Sequence, residues 1–175
     1  TSTGAILACA VAHGIPGDEL VALYKQRGRE IFPAAPARLW SRFERSFKEG
    51  WSAPKYDDAG LASVLQSAFG DARLADLPKQ NALLVTAYDT FTRKPVIFKS
   101  HKAEMGPLKL WEVAKASSSA PTYFPAHVLE HGGAKRPLVD GGVVANNPTT
   151  CAIAEAIVLN RELKSGRKLE EFVVA

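Results

Sequence analysis

Apolar and small residues fill nearly every position from Gly4 to Ala12, and the run closes on His13 and Gly14. That pattern predicts a helix hydrophobic on all sides and therefore buried, with Gly14 as its left-handed terminator and Ser2 just ahead of its first turn. A second helix is expected from Pro16 to Phe32, opened by Pro16, Asp18 and Glu19 and stopped by Pro33. Over residues 38–51, Trp40, Phe43, Phe47 and Trp51 form an aromatic stripe among Arg38, Arg42, Arg45 and Lys48. Packing on the core is the commoner fate of such a stripe, and peripheral contact with a membrane is the alternative. Asp57 to Phe69 reads as a helix ending at Gly70.

Further on, Asn81 to Tyr88 reads as a buried strand, residues 89–94 as its turn and Pro95 to Lys99 as the returning strand. Pro107 to Ser119 is helical and runs into a small-residue stretch that breaks at Pro121. Pro137 to Val139 is a short strand with Asp140 at its end. Asn147 caps a last helix with Pro148 at its first position, and Phe172 to Ala175 reads as one more strand. Strands alternating with helices predict an α/β fold with a mainly parallel central sheet sandwiched between helices.

Composition narrows this little. The 175 residues, 46% hydrophobic and 23% charged, suit one globular domain. A net charge of +4 is compatible with anionic lipid headgroups, but no Lys/Arg stripe of the density that tracks phosphates is present, so no nucleic-acid partner is expected. Cys9 and Cys151 read as reduced thiols in apolar helices.

The candidate chemistry lies in two distant stretches. Thr1-Ser2-Thr3-Gly4 supplies the last four residues of a G-x-S-x-G elbow, although a serine before a helix is often just a cap. A serine needs a base. No histidine follows Asp140, His13 lies at the wrong end of the helix, and His127 and His131 sit in what reads as a polar hairpin, facing solvent. A buried carboxylate is the alternative base. Asp140, followed by Gly141 and Gly142, is placed for it, though Asp-Gly-Gly alone reads as a turn. Asp89 is a rival acid in a turn context. Thr1 acting through its own amine is a further alternative.

Taken together, the Thr1–Ala8 stretch, Ala116-Ser117-Ser118-Ser119-Ala120-Pro121-Thr122-Tyr123-Phe124-Pro125 and Asp140-Gly141-Gly142-Val143-Val144-Ala145-Asn146-Asn147-Pro148 resemble the patatin-like phospholipase family. The resemblance implies a lipid acyl hydrolase with Ser2 as nucleophile and Asp140 as base, supported by Thr1, Thr3, Gly4, Gly141 and Gly142. It implies no cofactor and no metal. It also implies that residues 1–175 are most of one catalytic domain, truncated at both ends and lacking the upstream oxyanion loop and elbow strand. The alternative on the same fold is a catalytically silent module that binds a membrane or a partner.

Overall fold

The first helix, α1 (Thr3–His13), ends where the sequence says it should: Gly14 adopts φ 87° and its N–H closes on the last turn. The computed structural model describes residues 1–31, 54, 56, 58–78 and 81–162; the aromatic stripe at 38–51 and the strand expected at 172–175 lie outside them. Ala5, Ile6, Cys9, Ala10 and Ala12 are buried, but Leu7 and Val11 are 40% and 55% exposed, so α1 is not buried all round. Apolar composition fixed which residues could be covered, and the packing partners cover only one side.

Helix α2 (Gly17–Ile31) turns Leu20, Leu23 and Tyr24 toward the core, and α3 (Ala59–Phe69) adds Leu61, Val64, Leu65 and Phe69 before Gly70 ends it. Cys9 lies wholly inside, and burial pushes its thiol up to about 12, where it behaves as a small hydrophobe. Cys151 is free and half-buried.

The strands are β1 (Leu84–Asp89), β2 (Lys94–Lys99), β3 (His127–His131) and β4 (Ala134–Asp140). They form a four-stranded sheet in the order β2-β1-β4-β3, and every pairing among the described residues is antiparallel. The expectation of a mainly parallel central sheet is thereby overturned. For the two outer pairs the reason is local: both are hairpins, and a tight turn can only join antiparallel neighbours; the central β1–β4 pair is a long-range contact. In the first turn Asp89 Oδ1 accepts from the N–H groups of Phe91 (2.9 Å) and Thr92 (3.1 Å). In the second, Gly132 and Gly133 take φ 59° and 73°, the paired positive values of a two-residue hairpin loop. Asp89 is wholly buried; burial works to raise its carboxyl, but the bonds from Thr92 and Phe91 outweigh it and hold it below the usual range. Its role is the turn, as its context suggested.

Helix α4 (Leu110–Ser118) is the hub, packing against α1, α3, β1, β3 and β4. Ala114, Ala116 and Ser117 let its neighbours approach closely, and all residues from Val113 to Ser119 are buried. The last described helix, α5 (Thr149–Glu162), starts as predicted: Asn147 Oδ1 accepts from the Thr149 N–H at 3.1 Å. Glu155 ties α5 to the end of β2 through Lys99 (2.6 Å) and His101 (2.9 Å).

One buried polar cluster sits beneath α4. Lys115 Nζ pairs with Asp58 at 2.7 Å, ahead of α3, and His127 lies nearby with its ring 5.9 Å from Trp111. His127 is buried, not at the surface as its hairpin suggested, because alternation along β3 puts it on the same face as Leu129. Burial, reinforced by the Lys115 charge and opposed by Asp58, pushes its pKa down to about 4 from 6.5. The folded protein therefore holds His127 neutral while the unfolded chain protonates it below 6.5, so stability present above that pH is lost as pH falls toward 4. The loss amounts to about 3 kcal/mol at most. Urea unfolding of the parent from pH 7 to 4.5 is expected to show this decline, and His127→Phe to flatten it; equal slopes would remove His127 as its source.

Candidate active site

A serine ahead of a helix normally spends its hydroxyl on capping the first turn. Ser2 does not: its side chain makes no cap bond, and its backbone sits at φ 54°, ψ −122°. A residue with a Cβ held there stores about 1–3 kcal/mol, so the surroundings must enforce it. They do so from both sides. The Ser2 N–H donates to the Ser117 carbonyl at 3.1 Å, and the Ser2 carbonyl accepts from Ala5 N–H (2.9 Å) and from Ser118 Oγ (3.1 Å).

The strained turn aims at space. Ser2, Thr3 and Ser118 line a pocket of about 210 Å³ whose remaining wall is largely apolar: Ile6, Tyr24, Leu61, Ala120, Tyr123 and Phe124. Tyr24 and Leu61 were legible in the sequence only as core positions of their helices. Thr3 begins α1, so its N–H has no intrahelical partner. The Gly4 N–H instead turns back to the Thr1 carbonyl at 3.1 Å.

Asp140 ends β4, 8% exposed, and its N–H donates to the Ser119 carbonyl at 3.0 Å. Its Oδ1 accepts from the Gly142 N–H at 2.7 Å, which holds the carboxylate over the following turn. Gly141 lies flat on β1, and a Cβ there would run into the carbonyl and hydroxyl of Thr86. Gly142 is looser: a Cβ would stand 3.2 Å from Asp140 Oδ1 and 3.5 Å from Thr1 Oγ1. Thr1 Oγ1 also lies 3.5 Å from the Asn146 carbonyl, a long contact. The Thr1 end of the elbow and the Asp140–Gly142 turn are thus neighbours, with Ser2 the next residue along.

The C-terminal end of α4 touches both. Ser117 and Ser118 hold Ser2, and Ser119 holds Asp140, all three serines buried. In the sequence the small-residue stretch shows as a helix break at Pro121 and as one of the motifs of the family resemblance; that its carbonyls reach two distant segments carries no signature in side-chain pattern. The histidines go elsewhere. His13 lies against Phe69 at the far end of α1, His101 against Glu155, and His127 and His131 are in β3. None lines the Ser2 pocket. Among the described residues no helix is long and apolar enough to cross a membrane.

Comparison with known proteins places this geometry in context. A family described as patatin-like phospholipase matches residues 1–153. A rice protein (Oryza sativa subsp. indica) named patatin-like protein 2 is 36% identical over 170 residues, covering 89% of this chain and 41% of that protein. A protein of Escherichia coli (strain TW11681) named cGAMP-activated phospholipase is 32% identical over 170 residues, covering 94% of this chain and 44% of that one. Patatin-like protein 3 of Arabidopsis thaliana is 32% identical over 145 residues, covering 78% of this chain and 33% of its own length. The chain spans less than half the length of these relatives.

Proposed function

This chain belongs to the patatin-like phospholipase family, and on that footing we propose that residues 1–175 form part of one lipid acyl hydrolase domain that cleaves ester-linked acyl chains, with Ser2 as nucleophile and Asp140 as base. The observation that carries the reading is the strained Ser2 backbone, φ 54°, with its hydroxyl unspent on capping and its residue on the wall of an apolar pocket. A strained strand-to-helix turn that exposes a serine is the design of the nucleophile elbow.

In the reaction, Asp140 takes the hydroxyl proton as Ser2 Oγ attacks the ester carbonyl. The tetrahedral intermediate carries its negative charge on the former carbonyl oxygen, where the Thr3 N–H at the start of α1 is a donor. Collapse breaks the bond to the alcohol, which leaves with the proton from Asp140, and the acyl group stays on Ser2. Water then attacks the acyl-Ser2 ester, giving its proton to Asp140; the fatty acid departs and Ser2 recovers its proton. The substrate class suited to the pocket is an ester with an aliphatic acyl chain, which Ile6, Leu61 and Phe124 would shelter from water.

The test is covalent. A fluorophosphonate is expected to add to Ser2 alone, as mapped by mass spectrometry, and Ser2→Ala to abolish the adduct. An adduct on Thr1, or one that survives Ser2→Ala, would overturn the assignment.

A further inference from the structure

The serines at the end of α4 belong to neither proposed reacting group, yet they hold both. Ser118 Oγ donates to the Ser2 carbonyl at 3.1 Å, across 116 residues of sequence. The adjoining Ser117 carbonyl accepts the Ser2 N–H at 3.1 Å, so the peptide groups on both sides of Ser2 are fixed by consecutive residues of one helix end. Two such anchors determine φ and ψ of the residue between them, which is what a backbone at φ 54° and ψ −122° requires. The Ser119 carbonyl meanwhile accepts the Asp140 N–H at 3.0 Å.

We propose that Ser118 is a positioning residue, its hydroxyl clamping the strained Ser2 turn so that the turn and the Asp140 strand end are held by one rigid helix terminus. The inference rests on Ser2 being the nucleophile, as proposed above, for its consequence in rate; the clamp itself stands on geometry. Ser118 also borders the pocket, but its hydroxyl is given to the Ser2 carbonyl, and it is through Ser2 that this hydroxyl acts. The helix suits the task because it is buried from Val113 to Ser119 and packs against α1, β1 and β4 alike. Loss of the hydroxyl removes one of the bonds on the Ser2 carbonyl, and Ser2 relaxes toward ordinary φ/ψ values, away from the orientation the fold imposes on it.

Ser119→Ala provides a control one residue on, because Ser119 Oγ makes a buried bond to the Lys115 carbonyl at 2.9 Å without touching Ser2, whereas the Ser118 bond is part-buried. Amide hydrogen exchange and the rate of fluorophosphonate labelling are measured on the same purified proteins. Ser118→Ala is expected to speed exchange at Ser2, Ala5 and Ile6 and to slow labelling, each by about tenfold, the order expected for one hydrogen bond. Ser118→Thr, which keeps the hydroxyl, should restore both, and Ser119→Ala should leave the elbow amides at parental rates. Elbow exchange unchanged in Ser118→Ala, or changed equally by Ser119→Ala, overturns the clamp. A parent protein that takes up no label at Ser2 overturns the nucleophile assignment instead, and the exchange comparison still decides the clamp.

Discussion

An Asp140→Asn protein is expected to fold as its parent does and to lose acyl transfer by on the order of 10²–10⁴, the usual contribution of a positioned general base. The fold survives because the bonds at this position do not need a charge. The amide oxygen of asparagine can still accept the Gly142 N–H now held at 2.7 Å, and the main-chain bond to the Ser119 carbonyl is untouched. The chemistry does not survive, because an amide cannot take the Ser2 proton. Steady-state hydrolysis of a short-chain ester alongside urea unfolding separates the two effects. Wild-type turnover in the variant would remove Asp140 as the base, and a collapse of stability would recast it as a structural turn residue, the reading its Asp-Gly-Gly context first allowed.

Gly141→Ala should behave in the opposite way, failing through the fold. The new Cβ meets the carbonyl and hydroxyl of Thr86, a buried residue in the middle of β1 that has strands on both sides and no room to retreat. Overpacking of well-filled sites costs about 1–3 kcal/mol and sometimes more; the upper end applies where the clash is with backbone. Activity would fall with it, since Asp140 is the neighbouring residue. Gly142→Ala is the informative comparison, as its Cβ presses only on Asp140 Oδ1 at 3.2 Å and on side chains. It should leave thermal stability nearly intact while disturbing the carboxylate. Equal stability of Gly141→Ala and the parent would mean that the turn is free to lift from β1.

The helices were legible because their ends are written in residue chemistry. Gly14 and Gly70 close α1 and α3 with positive φ, and Asn147 opens α5 with its side-chain oxygen. The first hairpin was legible for the same reason, in the Asp89 turn; the second was legible only as a polar hairpin around His127 and His131, and its Gly132-Gly133 turn and strand β3 come from the structure. Alternation of helices and strands does not reveal the direction of the sheet: the two turns dictate antiparallel outer pairs, and the central β1–β4 pairing is a long-range contact with no local signature. His127 was misplaced although its signal was there: with Leu129 two residues on, a buried face includes it. Residue by residue the site was legible only as separate motifs, and only the family resemblance joined them. What unites them is a set of backbone carbonyls at Ser117 and Ser119 and one hydroxyl at Ser118, and carbonyls are common to all residues. Likewise the strain at Ser2 comes from the assembled fold, since serine by itself has no preference for φ 54°.

The sheet and the site differ in how far along the chain their contacts reach, and this gives the protein an order of assembly. The β1–β2 and β3–β4 hairpins join near neighbours and can form within about 1–10 μs. Bringing β4 onto β1 involves three residue pairs, from Ala87 with Asp140 to Asp89 with Leu138, and docking α1 onto α4 spans 116 residues. Such closures carry a loop-entropy cost before any contact repays it, so they come late. A chain that has both hairpins but not these closures lacks the bonds from Ser117 and Ser118 that hold Ser2 at φ 54°. On the proposed assignment of Ser2 as nucleophile, ester cleavage would be switched on by the last folding step, and reactivity at Ser2 would serve as a clock for its completion.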